Sequence, residues 1–281
     1  MEENRIRTRV ILAYFSPSGT TLKTLNNIAL GMGDVEIERL DMSVLANRQK
    51  THSFEKTDIV IYGTITGPLL FAPNKEIFAS FQGNGACFVG IAQYGNGYYG
   101  VTLKQLQKRA LKQGFRVIAL GAFIGQHSED KSVATGRPDE RDAEIQAQFG
   151  KDIMEKYNMG KFSLSQQPKT GWSISPLYNM VVLLRHFQMD SDYELPAALK
   201  RKRINEAKCI QCRSCEKNCP VQAIRVDSKE FDLKKCIACY RCVNRCPKQA
   251  IEVTSKIMNM VVADFGKRVG KPKRHEPTVV L

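Results

Sequence analysis

The sequence predicts an α/β fold: an open, doubly wound sheet of five parallel strands, followed by a small cysteine-rich domain. The first part of the chain alternates short apolar runs with amphipathic stretches, which is typical of βαβ units. Eight of the nine cysteines lie from Cys209 to Cys246, and such a cluster in a reducing compartment indicates metal ligation rather than disulfides. A chain of 281 residues, 43% of them hydrophobic, suffices for two modest domains and excludes wholesale disorder.

Each predicted strand is a short apolar run, and each predicted helix is an amphipathic stretch with a start or stop signal. Proline suits the first helical turn at Pro73 and Pro138, and Gly114 favours a helix end just before it. The strands are predicted at 10–15, 35–40, 58–62, 86–92 and 115–123, and the helices at 20–30, 73–78, 101–113 and 138–157. Sheets of this kind bind ligands beyond the carboxyl ends of their strands, where the loops 16–21, 63–72 and 93–100 lie.

Composition sets the expected domain boundaries. We expect the α/β domain at 1–158, a connector with a helical segment at 159–203, the cysteine-rich domain at 204–255 and a basic tail at 256–281. The charge is uneven, because residues 1–150 hold 17 Lys and Arg against 15 Asp and Glu, whereas residues 151–281 hold 25 against 13. The basic charge therefore belongs to the second half of the chain.

Two cysteine runs carry the strongest chemical signal. Each reads Cys-x2-Cys-x2-Cys-x3-Cys-Pro. A 4Fe–4S cluster needs four converging thiolates, and in two-cluster proteins the fourth cysteine of each run binds the other cluster. The predicted ligands are Cys209, Cys212, Cys215 and Cys246 for cluster 1, and Cys236, Cys239, Cys242 and Cys219 for cluster 2. Zinc is the alternative, but zinc thiolate sites use two close pairs rather than two runs of four.

The two runs also share the residues that follow them. The segment PVQAI at 220–224 mirrors PKQAI at 247–251. This repeat, over about residues 204–254, resembles the bacterial dicluster ferredoxins. The resemblance implies a small α+β ferredoxin-like domain that holds two 4Fe–4S clusters.

The loop after the first strand has the chemistry of a phosphate site. Ser16, Ser18, Thr20 and Thr21 offer hydroxyls, and Gly19 lets the backbone approach a ligand closely. A strand-to-helix turn adds backbone N–H groups and a favourable helix dipole. The loop lacks the lysine of nucleoside triphosphatases and the G-x-G-x-x-G of dinucleotide sites. The alternative is a plain helix cap.

Position along the chain links this loop to a known family. SPSGTT at 16–21 resembles the FMN phosphate loop of flavodoxins, and YGNGYYG at 94–100 resembles their flavin-edge loop. The segment 63–73 departs from the family pattern by lacking an aromatic residue at the usual place, so the ring is stacked on one side only or is covered by Leu69 or Phe71. The residues that the resemblance implies for FMN binding are Ser16, Ser18, Gly19, Thr20, Thr21, Thr64, Thr66, Gly67, Tyr94, Gly95, Asn96, Gly97, Tyr98, Tyr99 and His127.

Four other features have a functional and a structural interpretation. His127 either gives a hydrogen bond or a proton to the flavin or a substrate, or caps the local backbone. Cys87 is interpreted as a small buried hydrophobic residue, and Trp172 is expected to pack the two domains together. The basic run 200–203 is either a solvated surface or a docking patch beside the clusters.

Over about residues 6–255, the chain resembles the flavodoxin–ferredoxin fusion family of anaerobic bacteria and archaea, the EFR-type ferredoxins. GAFIGQHS at 121–128 and GRPD at 136–139 are further matching segments. The resemblance implies electron transfer between FMN and two 4Fe–4S clusters. Two alternatives stay open: a flavin-dependent reductase of a small organic acceptor fed by the clusters, and a ferredoxin module whose degenerate flavodoxin domain serves for docking.

The partner predicted from charge is an acidic redox protein, since complementary potentials speed encounter. Nucleic acid is not expected, because no reading motif accompanies the basic residues. No apolar stretch approaches the roughly 20 residues that span a bilayer, and no secretory signal is visible. We therefore expect a cytoplasmic protein without a membrane span.

Overall fold

The structure is a computed structural model that describes residues 7–67, 69–173, 176–269 and 275–281. Its N-terminal part alternates strands and helices. In chain order these are β1 (Arg9–Phe15), α1 (Thr20–Gly31), β2 (Glu36–Asp41), α2 (Leu45–Arg48), β3 (His52–Ser53), β4 (Ile59–Ile65), α3 (Asn74–Ala79), β5 (Phe81–Gln82), β6 (Cys87–Tyr94), α4 (Thr102–Lys112), β7 (Arg116–Ile124) and α5 (Glu140–Asn158).

The main sheet has the strand order β2-β1-β4-β6-β7, and all of these neighbours pair in parallel. This is the flavodoxin-like arrangement of a doubly wound sheet. The predicted fold class is confirmed, and all five predicted strands and four predicted helices are present within a few residues of their expected bounds.

Alternate residues of the strands pack into two separate hydrophobic cores, one on each face of the sheet. Val10 and Leu12 of β1 pack on one face against α1 and α5, where Ile28 and Phe149 are buried. Ile11 and the rest of its face belong to the other core, under α3 and α4. Side chains of a strand alternate between faces, and a parallel sheet covered by helices on both sides buries both. The helices therefore leave only the strand ends open for a ligand.

The C-terminal part is built from short elements. They are α6 (Pro176–His186), a 3-10 turn (Ala197–Leu199), β8 (Lys202–Ile204), α7 (Ser214–Lys217), β9 (Ile224–Arg225), β10 (Glu230–Phe231), α8 (Arg241–Arg245), β11 (Ile251–Val253), α9 (Lys256–Val269) and β12 (Thr278–Val280). Strand β8 pairs with β11, and β9 pairs with β10, both antiparallel. The repeat seen in the sequence is thus a repeated strand–helix–strand unit, β8-α7-β9 and β10-α8-β11, whose strands pair between the two units.

The segment after residue 255 is more structured than a basic tail. It holds the helix α9, and its strand β12 pairs antiparallel with β7 as a sixth strand of the main sheet. Val280 of β12 is buried in the core of that sheet. The expectation of a five-stranded sheet missed this strand because three residues far from the other strands in sequence carry no periodic signal. Part of the basic segment, residues 270–274, lies outside the described residues.

One smaller expectation is wrong: Trp172 is 53% exposed rather than packed between the domains. In the basic run 200–203, Arg201 and Arg203 are exposed, whereas Lys200 and Lys202 are buried. Lysine is buried only where its ammonium finds partners, and those of Lys202 are described below.

Polar contacts join the two parts of the molecule. The buried guanidinium of Arg48 donates to the carbonyls of Met42 (2.7 Å) and Pro220. The Asn244 side chain donates to the carbonyl of Ser128 (2.9 Å). Both contacts place the cysteine-rich part against the carboxyl edge of the sheet.

Candidate functional site

A cavity of about 200 Å³ lies at the carboxyl edge of the main sheet, between the two parts of the chain. The loops after β1, β4, β6 and β7 form one wall, and the cysteine-rich part with α6 and α9 forms the other. The predicted residues that line it are Ser18, Thr20, Thr66, Gly67, Tyr94, Gly95, Gly97, Tyr98 and His127. The structure therefore brings nine of the predicted FMN-binding residues, from four loops, to one cavity.

The loop after β1 has the geometry of an anion-binding turn. Gly19 stands at the N-cap of α1 with a φ of 95°, a left-handed conformation that favours glycine. The Ser18 and Thr20 hydroxyls lie 3.0 Å apart and face the cavity. Ser16 Oγ accepts a hydrogen bond from the N–H of Leu22 (3.1 Å), which holds the turn in place. The first N–H groups of α1 and these hydroxyls are suited to a phosphate.

The glycine-rich loop after β6 is packed by aromatic rings. A side chain at Gly95 would meet the His127 ring at 2.4 Å, and one at Gly97 would meet the Phe265 ring at 2.5 Å. The His127 and Phe265 rings themselves pack with centroids 5.1 Å apart. Because Gly95 and Gly97 lack side chains, His127 of the loop after β7 and Phe265 of α9 can pack closely against them. This role adds to the expected one, which is to expose backbone amides to a ligand.

Six of the predicted FMN-binding residues do not line the cavity: Ser16, Gly19, Thr21, Thr64, Asn96 and Tyr99. Ser16, Gly19 and Thr21 belong to the anion-binding turn. The other three have structural partners. Thr64 Oγ1 accepts from the Asn74 side chain (3.1 Å), Asn96 donates to the carbonyl of Val269 (2.9 Å), and the Tyr99 ring packs against Tyr94. Their assignment to FMN stays a prediction.

His127 and Glu129 are the ionisable groups of the β7 loop in this cavity. His127 Nδ1 accepts hydrogen bonds from the N–H groups of Asp130 (3.1 Å) and Glu129 (3.3 Å), so it caps its own loop. Burial lowers the pKa of His127 to about 4. Burial raises the pKa of Glu129 to about 7, although Lys202 acts in the opposite direction. His127 is therefore neutral and Glu129 is half-ionised near neutral pH.

Two buried polar atoms beside this cavity lack partners among the described residues. They are Nε2 of Gln93, a residue that lines the cavity, and Oγ1 of Thr21, in the anion-binding turn. An unpaired buried donor is costly, and a bound ligand with acceptor atoms would satisfy it. A flavin fits this donor set: the turn offers neutral donors for a phosphate, and the cavity offers aromatic walls with a few polar groups for a ring.

The far wall of the cavity was not predicted from the sequence, although Cys239 was predicted as a cluster ligand. The residues of this wall are Tyr178, Tyr193, Leu195, Ala238, Cys239, Met258, Val261, Val262 and Phe265. They come from α6, the segment after it, the second cysteine run and α9, so only tertiary contacts bring them to the sheet. Glu129 had one usable signal, since it is an acid two residues from the singled-out His127.

The four cysteines assigned to cluster 1 line one small cavity: Cys209, Cys212, Cys215 and Cys246. The four assigned to cluster 2 line another: Cys219, Cys236, Cys239 and Cys242. The last cysteine of each run thus lies with the first three of the other run. We call these cavities site 1 and site 2.

Each site has the ligand set that a cubane cluster requires. A 4Fe–4S cubane carries four thiolates, one on each of its irons, and four cysteines line each site. Among the described residues, no group of three His, Cys, Asp or Glu side chains is placed to hold a single metal ion.

The two sites differ in their surroundings. At site 2, burial raises the pKa of Cys239 and of Cys242 to about 12, and Ala238 and Tyr240 are buried. At site 1, Cys212 is exposed and Ile210 is 58% exposed. Buried thiols bind as thiolates only where positive irons compensate for the lost solvation. Site 2 is thus shielded and faces the cavity through Cys239, while site 1 faces solvent.

Residues 208–250 match the family of the 4Fe-4S dicluster domain. The chain joins a flavodoxin-like domain to a ferredoxin-type domain. An iron–sulfur domain on a flavodoxin-like fold supports an electron-transfer protein. A search of the curated proteins finds no match.

Solved structures similar to the chain cover the flavodoxin-like domain. A flavodoxin of Streptococcus pneumoniae TIGR4 is 13% identical, with a TM-score of 0.37 over 53% of this chain and 99% of that chain. A flavodoxin of Megasphaera elsdenii is 16% identical, with a TM-score of 0.34 over 52% and 98%. The rubredoxin oxygen:oxidoreductase of Desulfovibrio gigas is 15% identical, with a TM-score of 0.38 over 54% and 36%. At these scores the matches add nothing to the strand order, which already defines the fold.

Among the described residues, no helix has the length and apolar character needed to cross a membrane.

Proposed function

We propose that the protein carries electrons between an FMN, held at the carboxyl edge of the flavodoxin-like domain, and two 4Fe–4S clusters in the ferredoxin-type domain. One observation carries this proposal. Cys239 of site 2 and its neighbour Ala238 line the same cavity as Ser18 and Thr20 of the anion-binding turn. A flavin bound in that cavity would share a wall with a cluster at site 2.

The residues of the cavity would serve three purposes: to bind the phosphate, to donate to the ring and to exclude water. The turn 16–21 would hold the phosphate through hydroxyls and backbone N–H groups. Gln93 Nε2 would donate to the ring, and Tyr98 with Tyr178, whose rings stack 5.8 Å apart, would exclude water beside it. When bound, FMN accepts one or two electrons and so connects one-electron carriers to two-electron chemistry.

The surroundings of the two sites support an order of electron transfer. Site 2 lies at the cavity, and site 1 faces solvent with Cys212 and Ile210 exposed. Lys208, Arg213 and Lys248 stand at or next to the ligands of site 1; Lys208 pairs with Glu252 at 3.7 Å and Arg213 with Asp227 at 2.5 Å. Basic residues beside an exposed cluster fit a weak, transient encounter with an acidic redox protein. We therefore propose the order FMN, cluster 2, cluster 1 and partner, in a direction set by that partner. A cytoplasmic location fits the nine cysteines, since that compartment keeps thiols reduced.

The cofactor content of anaerobically purified protein tests this function. We expect about eight irons per chain, as for two cubane clusters, and one flavin that is released on denaturation and identified as FMN. Iron without flavin, after incubation with added FMN, would favour the degenerate docking domain instead. Zinc in place of iron would remove the electron-transfer function altogether.

A flavin-dependent reductase is the second candidate, because α9 adds apolar side chains to the cavity beyond those of the sheet loops. Val261 lines the cavity and is 44% exposed, so it marks an opening to solvent. A small organic acceptor entering there would meet the flavin. Steady-state reduction of quinones by the dithionite-reduced protein, at a rate that depends on added FMN, would support this reading. Reduction of protein acceptors alone would leave the carrier function.

A further inference from the structure

Lys202 is a buried lysine beside one of the predicted cluster ligands. It lies in β8, and only 9% of its surface is exposed. Its Nζ is 3.9 Å from Cys236 Sγ, 3.2 Å from the carbonyl of Lys200 and 4.8 Å from the centroid of the Tyr240 ring. The groups that face the ammonium are thus a sulfur, a carbonyl and an aromatic ring, and Lys202 also interacts electrostatically with the Glu129 carboxyl. A buried cation is costly unless negative charge compensates for it.

A cluster at site 2 would supply that charge. A cubane core of about +2 with four thiolates carries a net charge of about −2, and reduction adds one more negative charge. An ammonium that donates to one of the sulfurs stabilises the reduced form more than the oxidised form. Hydrogen bonds to the sulfurs, net charge and solvent exposure are the features through which a protein sets cluster potentials.

The internal repeat shows that this feature belongs to one site only. Cys236 corresponds to Cys209 in the repeat, and by the same alignment Lys202 corresponds to Lys229. Lys229 is exposed, and its Nζ forms an ion pair with Glu206 at 2.8 Å. Two lysines at equivalent positions are therefore placed differently: one donates to a cysteine sulfur, and the other is paired at the surface.

We propose that Lys202 raises the reduction potential of cluster 2 relative to that of cluster 1 through its ammonium at the Cys236 sulfur. The inference rests on the proposed function, because it requires clusters at both sites. It makes Lys202 a tuning residue that acts through a ligand. Electrons then reside preferentially on the shielded cluster next to the flavin cavity.

Redox titration of the Lys202→Met variant, followed by electron paramagnetic resonance, tests this proposal. Methionine keeps the length and bulk of the side chain without its charge. We expect one of the two cluster potentials to fall while the other stays at its wild-type value. The matched control is Lys229→Met, in which both potentials should remain unchanged. Lys202→Arg keeps the positive charge and should return the shifted potential towards that of the wild type.

Iron analysis of each variant separates the possible outcomes. Eight irons in Lys202→Met with unchanged potentials would overturn the proposal. Loss of the second cluster in both Lys202→Met and Lys202→Gln, with retention in Lys202→Arg, would also overturn it, because Lys202 would then serve assembly rather than tuning. A wild-type protein without iron would refute the proposed function itself, and this result is distinct from either of the others.

Discussion

At the scale of single residues, Gly19 in the anion-binding turn is expected to affect how tightly the proposed FMN binds. Its φ of 95° starts α1 in a left-handed conformation, yet a side chain built there would meet no atom within 4 Å. A substitution therefore acts through backbone strain and through the space where a phosphate would lie. The left-handed conformation costs an L-residue about 1–2 kcal/mol.

Replacing Gly19 with valine should weaken FMN binding by about tenfold or more, since 1.4 kcal/mol corresponds to a factor of ten. The iron content should stay unchanged. Quenching of flavin fluorescence gives the dissociation constant. Gly33→Val is the matched control, because Gly33 has a φ of 78°, also has no atom within 4 Å and follows the other end of α1, away from the anion-binding turn. Equal weakening in both variants would contradict a role for the turn in binding.

Glu129 makes the cavity sensitive to pH. Because burial raises its pKa to about 7, the carboxyl is neutral below that pH and negative above it. A negative charge disfavours the addition of electrons to a nearby group. Over about one pH unit on either side of that pKa, the midpoint potential of bound FMN should fall more steeply in the wild type than in Glu129→Gln.

Potentiometric titration of the flavin at several pH values measures this difference. The control is Glu140→Gln, which removes an exposed carboxylate at the start of α5. Its pH profile should match that of the wild type. Parallel profiles for Glu129→Gln and the wild type would show that Glu129 does not act on the flavin.

At the scale of elements, the ferredoxin-type domain depends on an exchange between its two halves. Each half provides two cysteines before its short helix, α7 or α8, a third within that helix and a fourth after it. Cys219 lines site 2 and Cys246 lines site 1. The N–H groups of Ala223 (3.3 Å) and Ala250 (3.2 Å) donate to these two sulfurs in the same way. The two exchanged cysteines, Cys219 and Cys246, therefore have equivalent backbone hydrogen bonds.

Cys219→Ala should remove the cluster at site 2 and leave the cluster at site 1. Iron should drop from about eight to about four per chain, and the remaining paramagnetic signal should belong to the solvent-exposed cluster. Cys87→Ala is the control, because Cys87 is buried in the flavodoxin-like domain and far from both sites in sequence. Loss of the cluster bound by the first run instead would mean that each run holds its own cluster.

At the scale of the whole molecule, electron transfer requires that the ferredoxin-type domain stay on the carboxyl edge of the sheet. Arg48 holds this arrangement from the flavodoxin-like side. Its buried guanidinium pairs with Glu76 at 3.3 Å and donates to backbone carbonyls of both domains, Met42 and Pro220. Leaving a buried acceptor unpaired costs about 1–3 kcal/mol.

Arg48→Met should loosen the domain contact and slow electron transfer from the clusters to FMN, while both cofactors remain bound. Flash photoreduction with flavin and cluster absorbance as readouts measures this rate. Arg39→Met is the control, since Arg39 is exposed and donates to the nearby Asn26 side chain (3.2 Å) within the same domain. An unchanged rate in Arg48→Met would show that other contacts suffice to hold the domains.

The sequence by itself determined those features that depend on neighbours along the chain. The spacing of the cysteine runs, the turn 16–21 and the apolar runs of β1, β4, β6 and β7 are local patterns, and they predicted the fold class and most of the loop residues at the cavity. Ligands within a run are close because a short loop connects them. Strands and helices follow from periodicity for the same reason.

Only the tertiary structure decided what depends on residues that are distant in sequence. It placed Cys239 at the wall of the proposed flavin cavity, paired β12 with β7 in the main sheet and buried Lys202 against Cys236. No local pattern distinguishes Lys202 from Lys229, because their different surroundings come from residues distant in sequence: Cys236 and Tyr240 for Lys202, and Glu206 for Lys229. The cavity between the domains, and with it the proposed contact between a flavin and a cluster, depends on how the whole chain packs.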